Sequence, residues 1–269
     1  MMKKLIVCVL TFSMMMVACA PKQQASVPAG TTESTQNFSD EMKIPYAVDL
    51  AEDGADSVER EGDHADSPYF THLDFYNMQS TDTLTILPKF QTMQQTSEWS
   101  CGVVSTMMVL NYYDALGDYN EESLAQIRSN GLEPEATSLI DIIKIFDTVG
   151  GFDLESTYDH PGDEIYDFMS LEKIREYIGK GIPVIIGWND WGGHWQVIIG
   201  YDTMGTETEQ DDVIIVADSY DTTDHNQDGY GVYPAERFFY NWTMYDFFTE
   251  NYGIDERDML FLAATPANE

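Results

Sequence analysis

Cysteine, basic side chains and long apolar stretches are all scarce in this chain. Three of its 269 residues are cysteine, and 13 Lys and Arg stand against 47 Asp and Glu, for a formal net charge of −34 at pH 7. A field of that sign repels nucleic acid phosphates and anionic lipid headgroups, so the composition argues against nucleic acid as a partner. It favours cationic partners, including divalent metal ions.

The one long apolar run lies near the N-terminus, from Leu5 to Val17, and follows Lys3 and Lys4. It is too short for an ordinary membrane span and is typical of an export signal, so we predict a signal peptide over residues 1–20. Met16-Val17-Ala18-Cys19 resembles a bacterial lipoprotein box, in which Cys19 is lipidated and anchors the chain to the cell membrane. Ala18-Cys19-Ala20 also satisfies the small-x-small rule of ordinary secretion. Both alternatives locate the mature protein outside the cytoplasm.

The rest of the chain divides into a polar segment and a core. Residues 21–80 begin with a stretch rich in Gln, Ser, Thr, Ala and Pro and continue with an acidic stretch, which predicts a flexible tether and an acidic prelude. Residues 81–269 carry the material for a single compact domain, since the chain is 43% hydrophobic and 13% aromatic.

Hydrophobic periodicity changes along this domain from helical to extended. Helical spacing dominates up to about residue 178, and alternating or continuous apolar runs dominate afterwards, which predicts an α+β fold with a mostly antiparallel sheet. The predicted helices are 101–115, 121–128, one that follows a Thr137 or Ser138 cap and stops at Gly150, and 171–178. The predicted strands are 83–87, 182–187, 194–201, 213–217 and 259–262.

Cys101 lies in the segment Gln95-Thr96-Ser97-Glu98-Trp99-Ser100-Cys101-Gly102, directly before a buried helix. Exported proteins usually pair their thiols, so a single cysteine in the mature domain indicates a reactive role. The N-terminus of a helix favours thiolate over thiol. Gln95 and the backbone N–H of Cys101 could stabilise a developing oxyanion. The alternative is that Cys101 is a small buried hydrophobic residue.

His194 is the histidine, among five, that opens a predicted strand, and we predict that it is the general base. An orienting acid is needed at another strand end, where Asp218 follows 213–217, with Asp190 and Asp202 as rivals. The alternative is a hydrogen-bonded rim histidine without a catalytic role. Three neighbours are predicted to contact substrate, although the tryptophans are as often plain core: Trp99, Gly193 and Trp195.

These residues together resemble the papain-like cysteine peptidases. The match rests on Gln95, Trp99-Ser100-Cys101-Gly102, Gly193 to Asp202 and Ala217-Asp218, and it covers about residues 84 to 265. It is similar, more closely, to the peptidase domain of the bacteriocin-processing (double-glycine) family. The resemblance implies a central helix that starts at the cysteine, an antiparallel sheet half, a Cys-His-Asp triad and a glutamine at the oxyanion hole. Two features depart from that family: Asp218-Ser219 replaces its usual Asp-Pro, and an export signal replaces its transporter.

A second pattern, Asp224, Asn226 and Asp228 before Gly229, matches the first half of a calcium loop. The closing glutamate is expected at position 235, but Ala235 stands there and Glu236 comes one residue late. The alternative is a turn built from good turn formers. A structural calcium ion is therefore a hypothesis, and no cofactor is required for the predicted chemistry.

The sequence thus predicts an exported cysteine peptidase or amide hydrolase that acts on peptide or protein substrates through a thioester on Cys101. We expect a monomer that contacts the membrane only through its N-terminal lipid. Two alternatives remain from the sequence alone. One is a catalytically inactive, peptide-binding surface lipoprotein with the same fold. The other is a transglutaminase-like enzyme or a cell-wall amide hydrolase.

Overall fold

A computed structural model describes residues 42–45, 47–55, 73–190, 192–220, 228–244 and 259–267. The predicted signal peptide, including Cys19, lies outside these residues. Within them, no helix combines the length and the apolar character that a membrane crossing requires.

The described strands form one seven-stranded sheet in the order β2-β7-β3-β4-β5-β6, with β1 paired to β4 beside this path. Every pairing between these strands is antiparallel. The strands are β1 (Leu84–Ile86), β2 (Phe152–Ser156), β3 (Val184–Trp188), β4 (His194–Asp202), β5 (Val213–Ala217), β6 (Tyr230–Pro234) and β7 (Leu260–Pro266).

Most of the helical residues precede β3, and most of the strands follow, which confirms the predicted α+β class. Ser138 and Ser170 accept hydrogen bonds from the first turns of the third and fifth helices, as the capping pattern predicts. The helices are α1 (Cys101–Tyr112), α2 (Glu121–Ala125), α3 (Leu139–Val149), α4 (Glu164–Phe168), α5 (Leu171–Gly179) and α6 (Ala235–Trp242).

Helix α1 is the central buried helix. Every residue from Cys101 to Leu110 is buried, as expected for a helix that is apolar on most of its faces. It packs against β4, and Ser105 Oγ donates a hydrogen bond to the carbonyl of Trp195 at 3.1 Å. This packing brings the N-terminus of α1 to the start of β4.

The strand register brings one end of β4 and one end of β5 together. His194 is the first residue of β4, and Asp218 directly follows the last residue of β5. Because the two strands are antiparallel neighbours, with Val197 opposite Ala217, the start of one lies beside the end of the other. The sheet therefore delivers His194 and Asp218 to the same edge.

Part of the segment predicted to be a flexible tether and acidic prelude packs on the domain. Met42 and Ile44 are buried, and Ile44 N donates to the carbonyl of Thr92 at 2.8 Å. Leu50 N donates to Thr96 Oγ1 at 3.0 Å. Apolar side chains from the segment before residue 81 therefore join the same core as the predicted domain.

Four short elements were missed by periodicity: β2, α4, β6 and α6. Each has five to eight residues, and three of them are partly exposed edge or surface elements. Strand β6 reads Tyr-Gly-Val-Tyr-Pro, and its glycine and proline weaken the local strand signal. Helix α1 also ends at Tyr112 rather than at residue 115.

Candidate active site

Cys101 is the first residue of α1, and its side chain is nearly buried, with 7% relative exposure. Ser100 occupies the N-cap position but makes no capping hydrogen bond with its side chain to the described residues; its Oγ accepts instead from Ser97 Oγ at 2.7 Å. The first helical bond runs from Val104 N to the carbonyl of Ser100. The N–H groups of the first turn therefore keep their partial positive charge beside the sulfur.

His194 and Asp218 form a buried pair. Nε2 of His194 lies 2.7 Å from Oδ1 of Asp218, and the two residues have relative exposures of only 4% and 1%. A carboxylate at one ring nitrogen fixes the tautomer and leaves the other nitrogen, Nδ1, for a second partner. Cys101 is, after Asp218, the neighbour that raises the pKa of His194.

The pKa of His194 is raised well above its ordinary value of 6.5. Burial, the largest influence, lowers this pKa, but the charge and the hydrogen bond of Asp218 outweigh it, and Cys101 adds to the increase. This shift favours the imidazolium form over the neutral ring. An imidazolium beside a sulfur is what a cysteine nucleophile needs for its proton to be held by the base.

Asp218 is kept ionised although it is buried. Burial would raise its pKa, but the charge of His194 and hydrogen bonds from three residues lower it below the ordinary 3.8. Oδ1 accepts from His194 and from the backbone N–H of Tyr220, the latter at 2.8 Å. Oδ2 accepts from Nε2 of Gln196, also at 2.8 Å. Buried carboxylates normally need this degree of pairing.

Gln95 lies in the same cluster and is held at both ends of its side chain. Its Nε2 donates to the carbonyl of Ser97 at 2.7 Å, and its Oε1 accepts from Ser219 Oγ at 2.7 Å. Its backbone N–H also donates to the carbonyl of Ser219. Ser219, which replaces the usual proline, thus fastens Gln95 to the strand end that carries Asp218. An amide nitrogen carries two hydrogens, and donation of the second one to an oxyanion stays a prediction.

Gln196 is the residue of this cluster that the sequence analysis missed. It is fully buried on β4, two residues after His194, so both side chains lie on the same face of the strand. Its Oε1 accepts from the indole N–H of Trp188 at 2.8 Å. The signal that was available is an amide side chain between the apolar residues Trp195 and Val197.

Asp190 and Asp202, the alternatives to Asp218 as the orienting acid, lie elsewhere and have other hydrogen-bond partners. Asp190 Oδ2 accepts a hydrogen bond from the hydroxyl of Tyr233 at 3.0 Å and lies 3.3 Å from Gln196 Nε2. These bonds connect Asp190 to Gln196 and Tyr233, and neither of them involves His194. Asp202 ends β4 and accepts from Met204 N, at the opposite end of the strand from His194. Asp218 is the acid that the fold places on the imidazole.

Comparison with known families adds a separate line of evidence. The model of the Peptidase_C39 like family matches residues 87–249, which is more than half of the chain. The chain belongs to this family. It therefore carries a papain-like cysteine peptidase domain of the C39 type, as the resemblance predicts. No match to the chain is found among curated proteins.

Of the three residues predicted to contact substrate in this C39-type domain, Trp195 lies in the core. Its side chain is completely buried, its Nε1 donates to the carbonyl of Thr137 at 2.8 Å, and it packs against Gly102. The strand alternation that points His194 one way points Trp195 the opposite way, into the core behind α1.

Trp99 and Gly193 lie nearer the surface, and both are partly exposed. The guanidinium of Arg128 stacks on the Trp99 ring, 4.2 Å from its centre, and donates to the carbonyls of Gly131, Glu133 and Glu135. Gly193 has a φ of 133°, a backbone conformation that residues with a side chain rarely adopt. Contact of these two residues with substrate stays a prediction.

Tyr220 links the loop after β5 to the loop before α1. Its hydroxyl lies 3.1 and 3.2 Å from the two carboxylate oxygens of Glu98, and its ring stands edge-on to the imidazole of His194 at 6.3 Å. These contacts join the segment that carries Asp218 to the segment that carries Cys101, beside the imidazole.

Of the three residues of the predicted calcium site, the structure describes one, Asp228. Asp224 and Asn226 lie outside the described residues. Asp228 is buried; its Oδ1 accepts from Tyr230 N at 2.9 Å and its carbonyl accepts from Thr92 Oγ1 at 2.6 Å. Among the residues that the structure describes, no group of three or more His, Cys, Asp or Glu could hold a metal ion.

Proposed function

We propose that this C39-type domain hydrolyses peptide or amide bonds, with Cys101 as nucleophile, His194 as general base and acid, and Asp218 as its orienting carboxylate. The observation that carries the proposal is the buried His194–Asp218 pair, with Cys101 among the neighbours that raise the pKa of the imidazole. A satisfied rim histidine needs one such partner. A histidine held between a carboxylate and the sulfur at a helix N-terminus has the arrangement of a nucleophile–base–acid triad.

The first half of the reaction follows from these positions. The Cys101 proton passes to Nδ1 of His194, and the sulfur attacks the substrate carbonyl carbon to form a tetrahedral oxyanion. The backbone N–H of Cys101 and the second amide hydrogen of Gln95 are the proposed donors to that oxygen. As the C–N bond breaks, Nδ1 returns the proton to the leaving amine, and a thioester remains on Cys101.

The second half repeats the same roles with water. His194 takes a proton from a water molecule, and the resulting hydroxide adds to the thioester carbonyl and forms a second oxyanion in the same site. The C–S bond breaks, the proton on Nδ1 returns to the sulfur, and the carboxylic acid leaves. Asp218 stays ionised throughout and stabilises each imidazolium.

For location and substrate, we propose that the protein works outside the cytoplasm, anchored through a lipid on Cys19, with simple secretion as the alternative. The support is the N-terminal apolar run and the lipoprotein-box resemblance. The net charge of −34 favours cationic peptides over acidic ones. Processing of bacteriocin-type double-glycine leaders is the finer proposal that the family resemblance suggests.

Location is tested by metabolic labelling with a radioactive fatty acid. The wild-type protein is expected to carry label and to enter the detergent phase, whereas Cys19→Ala is expected to carry none. Equal labelling of both proteins, or none in either, would contradict the lipid anchor. A secreted protein without label supports the alternative of simple secretion.

Activity is tested with a peptidyl electrophile and a fluorogenic peptide library. We expect covalent labelling at Cys101, read by mass spectrometry of the peptide that contains it, and cleavage of at least one library member. Cys101→Ala should lose both the labelling and the cleavage, and His194→Ala should lose nearly all cleavage. Cleavage that survives in Cys101→Ala would contradict the thioester mechanism.

One observation favours a second candidate, a peptide-binding module without activity. Cys101 and His194 are only 7% and 4% exposed, so a substrate must open the site further before the sulfur can attack. The same experiment separates the candidates. Peptide binding without electrophile labelling would favour the binding module, because such a module needs no reactive sulfur.

A further inference from the structure

Gln196 is a fully buried amide on β4, and its Nε2 donates a hydrogen bond to Oδ2 of Asp218. We infer that Gln196 is a positioning residue, which holds Asp218 in the orientation that aims His194 at Cys101. The inference rests on the proposed roles of Asp218 and His194.

The orientation of the Gln196 amide is fixed by Trp188. An indole N–H can only donate, so the oxygen of the amide must face it, and this bond is 2.8 Å long. The NH₂ group is thereby turned to the other side, where Asp218 Oδ2 lies 2.8 Å away. Trp188 is itself held by edge-on contacts with Tyr233 and Phe238, at ring separations of 5.1 and 5.0 Å.

The second hydrogen of the same NH₂ group also has acceptors. The Tyr233 hydroxyl lies 3.2 Å and Asp190 Oδ2 lies 3.3 Å from Gln196 Nε2. Tyr233 in turn donates to Asp190 at 3.0 Å. Trp188, Gln196 and Tyr233 stand on β3, β4 and β6, and Asp218 follows β5, so four neighbouring strands of the sheet fix one amide.

The two carboxylate oxygens of Asp218 have different hydrogen-bond partners. Oδ1 faces His194 Nε2 and the backbone N–H of Tyr220, and Oδ2 faces Gln196. Without a donor at Oδ2, a buried charged oxygen would lose its partner, and rotation of the carboxylate would become favourable. Such a rotation would carry Oδ1 away from His194. Gln196 thus acts on the imidazole through the carboxylate.

A merely structural role for Gln196 would predict a loss of stability but no particular loss at the imidazole. The test therefore needs a control with the same kind of defect elsewhere. Gln91 offers it, because its Oε1 accepts a hydrogen bond from Asn111 Nδ2 at 2.8 Å, and Asn111 lies ten residues along α1 from Cys101, about 15 Å by helical rise. Gln196→Met and Gln91→Met each remove an amide while keeping a side chain of similar length.

The first measurement needs no substrate. An imidazole N–H that is hydrogen-bonded to a buried carboxylate gives a proton resonance far downfield of the other signals. We expect this resonance from His194 in the wild type and in Gln91→Met, and its loss in Gln196→Met. Trp188→Phe, which removes the donor that fixes the amide, should weaken the resonance, and it serves as a second variant if Gln196→Met does not fold.

The second measurement is the peptide kinetics of the same variants. Gln196→Met is expected to lower kcat about 10- to 100-fold with KM unchanged, because supporting residues of an active site typically contribute that much. A retained downfield resonance with wild-type kcat in Gln196→Met, or equal losses in Gln91→Met, would overturn the inference. If the wild type cleaves no peptide but the resonance behaves as expected, the inference stands and the proposed peptidase activity falls.

Discussion

The two sides of the candidate site are built in opposite ways. The side of Cys101 is a continuous segment, Gln95 to Gly102, whose serine and glutamine side chains bond mostly to neighbours in sequence or to a backbone carbonyl. The side of His194 is assembled from the ends and centres of four strands and contains a buried ion pair. A local helix start supplies the nucleophile, and a non-local sheet edge supplies the base.

This difference separates the two tasks. The helix N-terminus favours negative charge at the sulfur through backbone geometry alone. The sheet edge must hold a charged imidazole in a place where burial opposes that charge, so it needs Asp218, and Asp218 needs its own donors. We therefore expect that substitutions on the sheet side change the pH dependence, whereas those on the helix side change the nucleophile or its position.

The largest effect is expected when the helix side loses its sulfur. Cys101→Ala should lower kcat/KM for peptide cleavage by at least about 10⁴-fold, since no other group can form the thioester. The double variant Cys101→Ala/His194→Ala should be no worse than the single one, because the two side chains act as a unit. Additive losses in the double variant would mean that they act independently.

A loss of charge on the sheet side should be smaller and should depend on pH. Asp218→Asn is expected to lower kcat/KM about 10²-fold near neutral pH. In the wild type the pKa of His194 is raised, so the basic limb of the pH profile lies above 6.5. Without the carboxylate, burial lowers this pKa, and the basic limb should move to lower pH.

The same two pKa shifts also make the free energy of unfolding depend on pH. In the wild type, the contribution of His194 to the free energy of unfolding is fully present below pH 6.5 and is lost as the pH rises through the raised folded pKa. The contribution of Asp218 is present above its ordinary 3.8 and is lost as the pH falls through the lowered folded pKa. In Asp218→Asn the acidic slope should disappear and the His194 slope should reverse, because burial without the carboxylate lowers the imidazole pKa. Both slopes should remain in Asp202→Asn, a control at the far end of β4; an unchanged His194 slope in Asp218→Asn would contradict the pairing.

The helix side can be displaced without touching the sulfur. A methyl group on Gly102 would lie 2.8 Å from Thr137 Cβ and 3.0 Å from Trp195 Cδ1, closer than carbon atoms tolerate. Gly102→Ala should therefore cost about 1–3 kcal/mol in the free energy of unfolding and shift Cys101. Gly179→Ala meets no atom within 4 Å and is the matched control. Equal denaturation midpoints for the two variants would show that this contact can relax.

The smallest effect is expected at the link between the two sides. Tyr220→Phe removes the hydroxyl that bonds to Glu98 but keeps the ring beside His194. Because this hydrogen bond is exposed, kcat/KM should fall by less than about threefold. Tyr240→Phe, on the exposed face of α6, is the control. A loss as large as that of Asp218→Asn would make the link part of the catalytic machinery.

The comparison also explains what the sequence could reveal. Cys101, its helix and the strands that carry His194 and Asp218 were predictable, because apolar periodicity and strand-end positions are local signals. Gln196 was not, since its importance depends on Trp188 and Asp218, which only sheet pairing brings to it. Trp195 was predicted to contact substrate because it follows His194 in sequence. Adjacent residues of a strand point to opposite faces, so the Trp195 side chain points away from that of His194. The docking of Met42 and Ile44 depends on a partner segment some fifty residues away, Thr92.

The central claim is that His194 holds the proton of Cys101, and alkylation of the sulfur tests it most directly. The rate of iodoacetamide modification at Cys101, read by mass spectrometry as a function of pH, should stay high in the wild type at pH values where an ordinary thiol has become slow. In His194→Ala the rate should fall at those values, because the imidazolium no longer stabilises the thiolate. Identical profiles for the two proteins, or no alkylation of the native wild type at neutral pH, would contradict the account.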